Sequence, residues 1–199
     1  MSVSDTYFTI SAPSEGLFKD KGSKFFGYAF PVTDEEEVKL YSEEIKKQHP
    51  KARHHCYAYR LGTDDLNFRA NDDGEPSGSA GKPILNVLLS KNLRNVFVVV
   101  VRYFGGTLLG VPGLINAYKT ATEEALAEAK LEEKTINETL QLSFDIAHMN
   151  DVMRIIKKHE LNIISQDYTT QYILTIEVRL SLLEEVIREV EELRFVEVR

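Results

Sequence analysis

The segment Asn71-Asp-Asp-Gly-Glu-Pro-Ser-Gly-Ser-Ala-Gly81 gathers the carboxylates Asp72, Asp73 and Glu75, the hydroxyls Ser77 and Ser79, Pro76, and the glycines Gly74, Gly78 and Gly81. Glycines let a backbone come close to a ligand. A Gly/Ser loop leading into a helix exposes N–H groups that suit an anion. Three carboxylates suit a cation or a basic partner instead. A loop merely locked by its own turns is a third reading, and all three stay open at this point. The segment is no Walker loop, because Gly78-Ser-Ala-Gly-Lys82 lacks the spacing and the Ser/Thr after the lysine. It is no nucleophile elbow either, because Pro76-Ser77-Gly78 does not supply Gly-x-Ser-x-Gly.

Other residues could join it. Arg102 interrupts the apolar run Val96–Val101 and, if buried, needs a partner, for which Asp72, Asp73 and Glu75 are candidates. His54, Cys56 and Arg60 alternate onto one face of a strand, with His55, Tyr57 and Tyr59 on the other. His54 with Asp72 or Asp73 offers metal ligands, and His54 with Cys56 a base and nucleophile. No tight His/Cys spacing supports zinc, however, and a lone strand cysteine is commonly a small core residue. From Lys46 to Arg60 lie Lys46, Lys47, Lys51, Arg53 and Arg60 with His49, His54 and His55 and no acid, a local basic footprint or a solvated helix end.

These residues need elements to hold them. Thr6–Ile10, Lys24–Val32, His54–Leu61 and Leu66–Ala70 read as strands, the last two joined by a turn at Gly62–Asp65. A Thr33/Glu36 capping box opens a helix to about Gln48, ahead of Pro50. Pro83 starts a short helix to about Asn92. Asn95–Phe104 is a strand buried on both faces. Gly105–Gly113 reads as a second loop and Leu114–Ala129 as a helix with Leu114, Ala117, Tyr118, Ala121, Ala125 and Ala129 on one side. Leu131–Glu138 is polar and reads as a linker between domains at 1–132 and 137–199. Beyond it come strand Thr139–Ala147, helix Asn150–Glu160, hairpin Leu161–Thr169 and Tyr172–Leu180, helix Ser181–Leu193 behind a Ser181/Glu184 box, and strand Phe195–Val198. That order is the ferredoxin-like β-α-β-β-α-β arrangement, and the fold class is α+β.

The 199 residues suffice for two cores, and 43% hydrophobic with 28% charged residues describes a globular chain. Net charge is −7, with −1 on residues 1–130 and −6 on residues 131–199. The chain as a whole therefore lacks the basic balance usual in nucleic-acid binders. A single cysteine fits a reducing cytoplasm, the N-terminus predicts no signal peptide, and no apolar run predicts a membrane span.

Four strings carry a resemblance: Lys21-Gly-Ser-Lys-Phe25; Ala52-Arg-His-His-Cys56; Asp72-Asp-Gly-Glu-Pro-Ser-Gly78 with Ala80-Gly81; and Val99-Val-Val-Arg-Tyr-Phe-Gly-Gly106 with Leu109-Gly110 and Gly113-Leu114. With them the chain resembles the YigZ/IMPACT family over most of residues 15–125, and its second domain resembles, more weakly, that of bacterial YigZ-type members. The resemblance implies a first domain of the β-α-β kind seen in domain IV of elongation factor G and a second like domain V of that factor. It also implies a link to translation, since eukaryotic IMPACT proteins regulate translation and the amino-acid-starvation kinase pathway. Two positions depart from the family pattern, Val111-Pro112-Gly113 where Thr-Gly-Gly is usual and Asn116 where a base is usual. Both would weaken a phosphate seat at that helix end.

The expected function is a non-catalytic translation-associated regulator binding RNA or the ribosome through Lys24, His54, Arg60, Arg102, Gly105, Gly106 and Lys119, beside the motif loop Asp72–Gly78. No cofactor and no metal are expected, and no catalytic residue is assigned. Alternatives are a small-anion binder or hydrolase on the Asp72–Ser77 loop, and an adaptor whose acidic second domain meets a protein partner.

Overall fold

The structure, a computed structural model, describes residues 5–63 and 66–199. Asp64 and Asp65, placed in the Gly62 turn, and the N-terminal Met1–Ser4 lie outside the described residues. The chain forms two compact units, one of Tyr7–Lys134 and one of Thr135–Arg199 with the described residues before Tyr7. Among the described residues no helix is long and apolar enough to cross a membrane.

The first unit runs β1 (Thr6–Ile10), β2 (Ser14–Asp20), β3 (Ser23–Pro31), α1 (Glu35–Gln48), β4 (His54–Arg60), β5 (Phe68–Asn71), α2 (Gly81–Ser90), β6 (Val96–Tyr103), α3 (Gly110–Ala127) and β7 (Leu131–Thr135). Five of these strands form an antiparallel sheet in the order β2-β3-β6-β4-β5, and β1 pairs with β7. Strands β3 and β4 both flank β6, so β3-α1-β4 is a split β-α-β unit with β6 between its strands. The valine run of β6 follows from that position. Val96, Val98 and Val100 face Ile84 and Leu88 of α2 and Leu114 and Tyr118 of α3, while Phe97, Val99 and Val101 face Val38 and Ile45 of α1. Each fully buried aliphatic side chain contributes about 1.5–3 kcal/mol.

Several boundaries differ from those the sequence pattern predicts. Strand β2 carries no clear signal: Ser-Glu-Gly-Leu-Phe-Lys-Asp is a half-exposed edge strand with only two large apolar residues. The cap of α1 is Asp34, one residue later than expected. Its carboxylate accepts from Glu37 N–H at 2.9 Å, and the Glu37 carboxylate accepts from Thr33 N–H at 2.7 Å. Helix α3 begins at Gly110, inside the expected loop, because Pro112 falls in its first turn where a missing N–H costs no helical bond. The expected linker is largely strand, since Leu131–Thr135 is β7 with all five side chains exposed, which conceals any alternation.

The second unit runs β8 (Asn137–Phe144), α4 (Met149–Lys158), β9 (Asn162–Tyr168), β10 (Tyr172–Arg179), α5 (Leu183–Glu192) and β11 (Glu197–Val198). The sheet order is β11-β8-β10-β9, with β10 antiparallel to both β8 and β9. This is the ferredoxin-like order that the pattern of elements predicts. Its core joins Leu140, Leu142 and Phe144 of β8 to Ile155 and Val186 on the helices. Helix α5 starts at Leu183 after a 3-10 turn and has no side-chain cap, so Ser181 does not form the expected box. Strand β8 ends at Phe144, where Asp145 caps a 3-10 turn by accepting from Ala147 N–H at 2.9 Å.

Helix α3 lies unusually close to the sheet. A Cβ built on Gly27 of β3 would sit 2.4 Å from the Ala121 carbonyl oxygen and 3.1 Å from Ala125 Cβ. Gly27→Ala is therefore expected to cost about 1–3 kcal/mol as helix and strand are forced apart. Urea denaturation measures it, and an unchanged midpoint would contradict so close a packing.

Candidate functional site

The motif loop is built around its own carboxylates. Asp72 accepts backbone N–H bonds from Gly78 (2.8 Å), Ala80 (3.0 Å) and Gly81 (2.8 Å), which ties the loop to the start of α2. The anion that the Gly/Ser loop invites is thus the chain's own Asp72. Burial alone would raise the pKa of this carboxyl, but the three donors outweigh it and hold the group below the ordinary value. Asp73 takes a left-handed φ of 38° and accepts from His55 N–H at 2.6 Å, while its carbonyl meets His54 Nδ1 at 2.8 Å. Pro76 and Ser77 are exposed, and Ser79 turns inward to donate to the Pro76 carbonyl.

Glu75 reaches furthest inward. Its Oε1 accepts from Arg102 Nη1 at 2.6 Å and from the Tyr118 hydroxyl of α3 at 2.8 Å. The two charged side chains are only 4% and 8% exposed, so Glu75 is the partner that buried Arg102 requires. Cys56 lies under this pair, with Sγ donating to the Asp72 carbonyl at 2.9 Å and 3.3 Å from the Tyr118 hydroxyl. Burial pushes the Cys56 thiol and the Tyr118 phenol well up, which keeps both protonated. Cys56 has no contact with His54 of the kind a nucleophile and base would make. Among the described residues no carboxylate joins His54 in a metal group; the Asp72 carboxylate faces three backbone N–H groups and that of Asp73 accepts from His55 N–H.

Beyond the pair opens a cavity of about 540 Å³ lined by Lys51, Arg53, His54, Arg102, Tyr103, Phe104 and Leu108. Strand pairing makes it, since His54 of β4 lies opposite Arg102 of β6, at the end where the α1–β4 connection delivers Lys51 and Arg53. No acidic side chain is in the lining. A second hollow of about 370 Å³ shares Tyr103 and Phe104 and adds Lys24, Phe26, Gly22 and His49. The ring nitrogens of His49 meet the hydroxyls of Tyr28 (2.7 Å) and Tyr103 (3.0 Å), and burial lowers its pKa. Gly105 closes the rim. Its N–H donates to Ser23 Oγ at 3.1 Å, and a Cβ there would come within 1.9 Å of the Gly22 carbonyl carbon, so no other residue fits without moving the strands. Gly106 follows in exposed loop with φ of 90°.

The cleft thus brings together His54 and Arg102, with Lys24 in the adjoining hollow and the Gly105-Gly106 turn, which lines neither, beside it. It does not include Arg60 or Lys119. Arg60 sits at the other end of β4, opposite Val96 and six residues from His54, or about 20 Å along the strand. It is 5% exposed and donates to the Leu93 carbonyl at 3.0 Å, a structural position. Lys119 stands on the exposed side of α3, paired with Glu123 at 3.7 Å, and lines a different groove with Lys82, Asn86 and Ile115. Within the sequence, Lys51 and Arg53 belong to a basic stretch that does not single them out, and neither Phe104 nor Tyr118 stands out as a site residue. For Tyr118 the available signal is a lone polar tip on an otherwise aliphatic helix face. Among the described residues the three-ligand group of His159, Glu185 and Glu189 lies in the second unit, where Lys158 already meets Glu189 at 2.5 Å.

Asp72→Asn places an amide where three N–H donors converge and is expected to cost about 1–3 kcal/mol. The pH dependence has a fixed sign. Because the folded pKa is depressed, the parent's Asp72 contribution is complete above the unfolded value of about 3.9 and disappears as pH falls toward the folded one. Denaturation midpoints of parent and variant should therefore converge below about pH 4, and a gap that stays constant into strong acid would refute this role. Glu75→Ala leaves Arg102 buried without a counter-charge and is expected to cost about 3–5 kcal/mol, against which an unaltered melting temperature would count.

Comparison with known proteins places this geometry. Residues 21–126 match the family model described as the Impact N-terminal domain. The IMPACT family member of Haemophilus influenzae is 38% identical over 150 residues, 74% of this chain and 73% of that protein. The IMPACT family member YigZ of Escherichia coli is 32% identical over 176 residues, 86% of this chain and 85% of that one. A solved structure titled only as a hypothetical protein superposes with a TM-score of 0.71 at 28% identity, covering 98% of this chain and 97% of its own. The matched span contains the motif loop, β6, Arg102 and the cleft. The chain belongs to the IMPACT family.

Proposed function

We propose that the chain is a non-catalytic, translation-associated regulator that binds RNA or the ribosome through the cleft between Lys51 and Leu108. One observation carries the reading: Lys51, Arg53, His54 and Arg102 surround a single cavity with Tyr103 and Phe104 and without an acidic side chain. Neutralising phosphates with such side chains releases counterions and supplies sequence-independent affinity, and aromatic rings add surfaces for bases. The first unit is nearly neutral overall, so this local excess of positive charge is a property of the site. The link to translation comes from the family resemblance. A cytoplasmic setting accords with the single, fully buried cysteine. The acidic second unit is proposed as the surface for a protein partner.

The alternative of a hydrolase or small-anion binder on the Asp72–Ser77 loop finds less support. Asp72 and Glu75 are both engaged by internal donors, and Ser77 is exposed and makes no side-chain hydrogen bond among the described residues.

Fluorescence anisotropy with a labelled structured RNA tests the proposal. Affinity is expected to fall steeply between low and physiological salt. Lys51→Ala and Arg53→Ala, both exposed positions, should each weaken binding and lower the salt slope by about 0.9. Absence of binding to any RNA or ribosomal particle at low salt would remove the proposal.

A further inference from the structure

We infer that the cleft takes an unpaired stretch of nucleic acid, with Arg102 offering its Nη2 to a phosphate and Phe104 stacking the adjoining base. The inference rests on the RNA-binding reading above and adds which part of the polymer enters and what holds it.

The guanidinium of Arg102 has one use left. Nη1 is held by Glu75. Its carbon lies 5.6 Å from the ring centroids of both Phe25 and Phe104. Nε is enclosed and has no hydrogen-bond partner, and Nη1 to Glu75 is the only hydrogen bond the group makes among the described residues. With Nη1 fixed and Nε enclosed, Nη2, which is neither enclosed nor hydrogen-bonded among the described residues, remains for a ligand. A lysine, whose single nitrogen would be drawn to Glu75, cannot offer that second donor. The side chain is nine-tenths buried and already charge-balanced by Glu75, so the positive charge that attracts a phosphate comes from Lys51 and Arg53. Both are exposed and make no ion pair among the described residues.

Phe104 decides between paired and unpaired strands. It is 57% exposed, an aromatic ring left in water at the rim of a basic cavity. A base in a duplex is already stacked on its neighbours and shows only its edge, whereas an unpaired base can lie on the ring. The adjoining hollow shares Phe104 and adds Lys24, which gives the next phosphate a cation one step along.

The test uses the full chain and three probes: a labelled oligouridylate of about eight nucleotides, a duplex of equal length, and inorganic phosphate as competitor. The oligouridylate should bind more tightly than the duplex and be displaced by phosphate. Phe104→Ala should weaken its binding by about 5- to 150-fold, the range of stacking on one ring, and leave duplex binding unchanged. Arg102→Lys, which keeps the charge opposite Glu75 but loses Nη2, should weaken oligouridylate binding and blunt the competition by phosphate. Should Arg102→Lys fail to fold, Phe104→Ala, at an exposed position, still discriminates. Parent-like oligouridylate binding by Phe104→Ala, or a preference for the duplex, would overturn the inference. If structured RNA binds with a salt slope while the oligouridylate does not, the inference falls and the RNA-binding reading stands. If neither binds, both fall.

Discussion

The ion pair between Glu75 and Arg102 is the constraint around which the first unit is arranged. A guanidinium at the end of a doubly covered strand needs a counter-charge, and the nearest strand neighbours supply none. The motif loop brings one in from the far side of β4. Once Glu75 is fixed, Tyr118 has an acceptor, Cys56 has a polar roof, and the backbone from Asp72 to Gly81 has few conformations left. The loop's polar composition therefore serves the interior more than the solvent, and its sequence specificity reflects shape as much as recognition.

This divides labour between two neighbouring features that the sequence presents as one. The loop holds Arg102 still. The cleft, built from the α1–β4 connection and the Phe104 turn, carries the exposed charge and the exposed ring. Carboxylates beside a surface proposed to bind phosphate look contradictory until their partners are known. Asp72 faces three backbone donors and Glu75 faces two side chains, so neither projects negative charge freely into the cleft.

Much of the architecture is legible in the sequence because burial is periodic. The valine run of β6, the aliphatic face of α3 and the alternation in the second unit each report one element in its place. Strand β2 and strand β7 are not legible in that way, since an edge strand with polar outer residues and a ribbon with every side chain exposed leave no apolar period. The one-residue slip at the cap of α1 arises because Thr33 and Asp34 are both good cap residues and only the backbone decides between them. At the site, burial logic pairs Arg102 with the loop's carboxylates but does not choose among Asp72, Asp73 and Glu75, and the pair that forms joins residues 27 positions apart. Arg60 illustrates the limit. Strand alternation puts it on the same face as His54, yet distance along the strand, which alternation does not encode, sends it to the opposite end.

The central position of β6 also sets an order of events. It is the last of the five sheet strands to leave the ribosome, and its partners β3 and β4 precede it by tens of residues. Until it emerges, those two strands lack the neighbour that joins them, and two apolar layers have no shared wall. The nascent chain must keep α1, the β2–β3 hairpin and the β4–β5 hairpin apart and unassembled until residue 103 is synthesised. Long-range pairing of this kind is slow and leaves strand edges open meanwhile. The feature that joins the finished sheet thus leaves its half-made form with open, aggregation-prone edges.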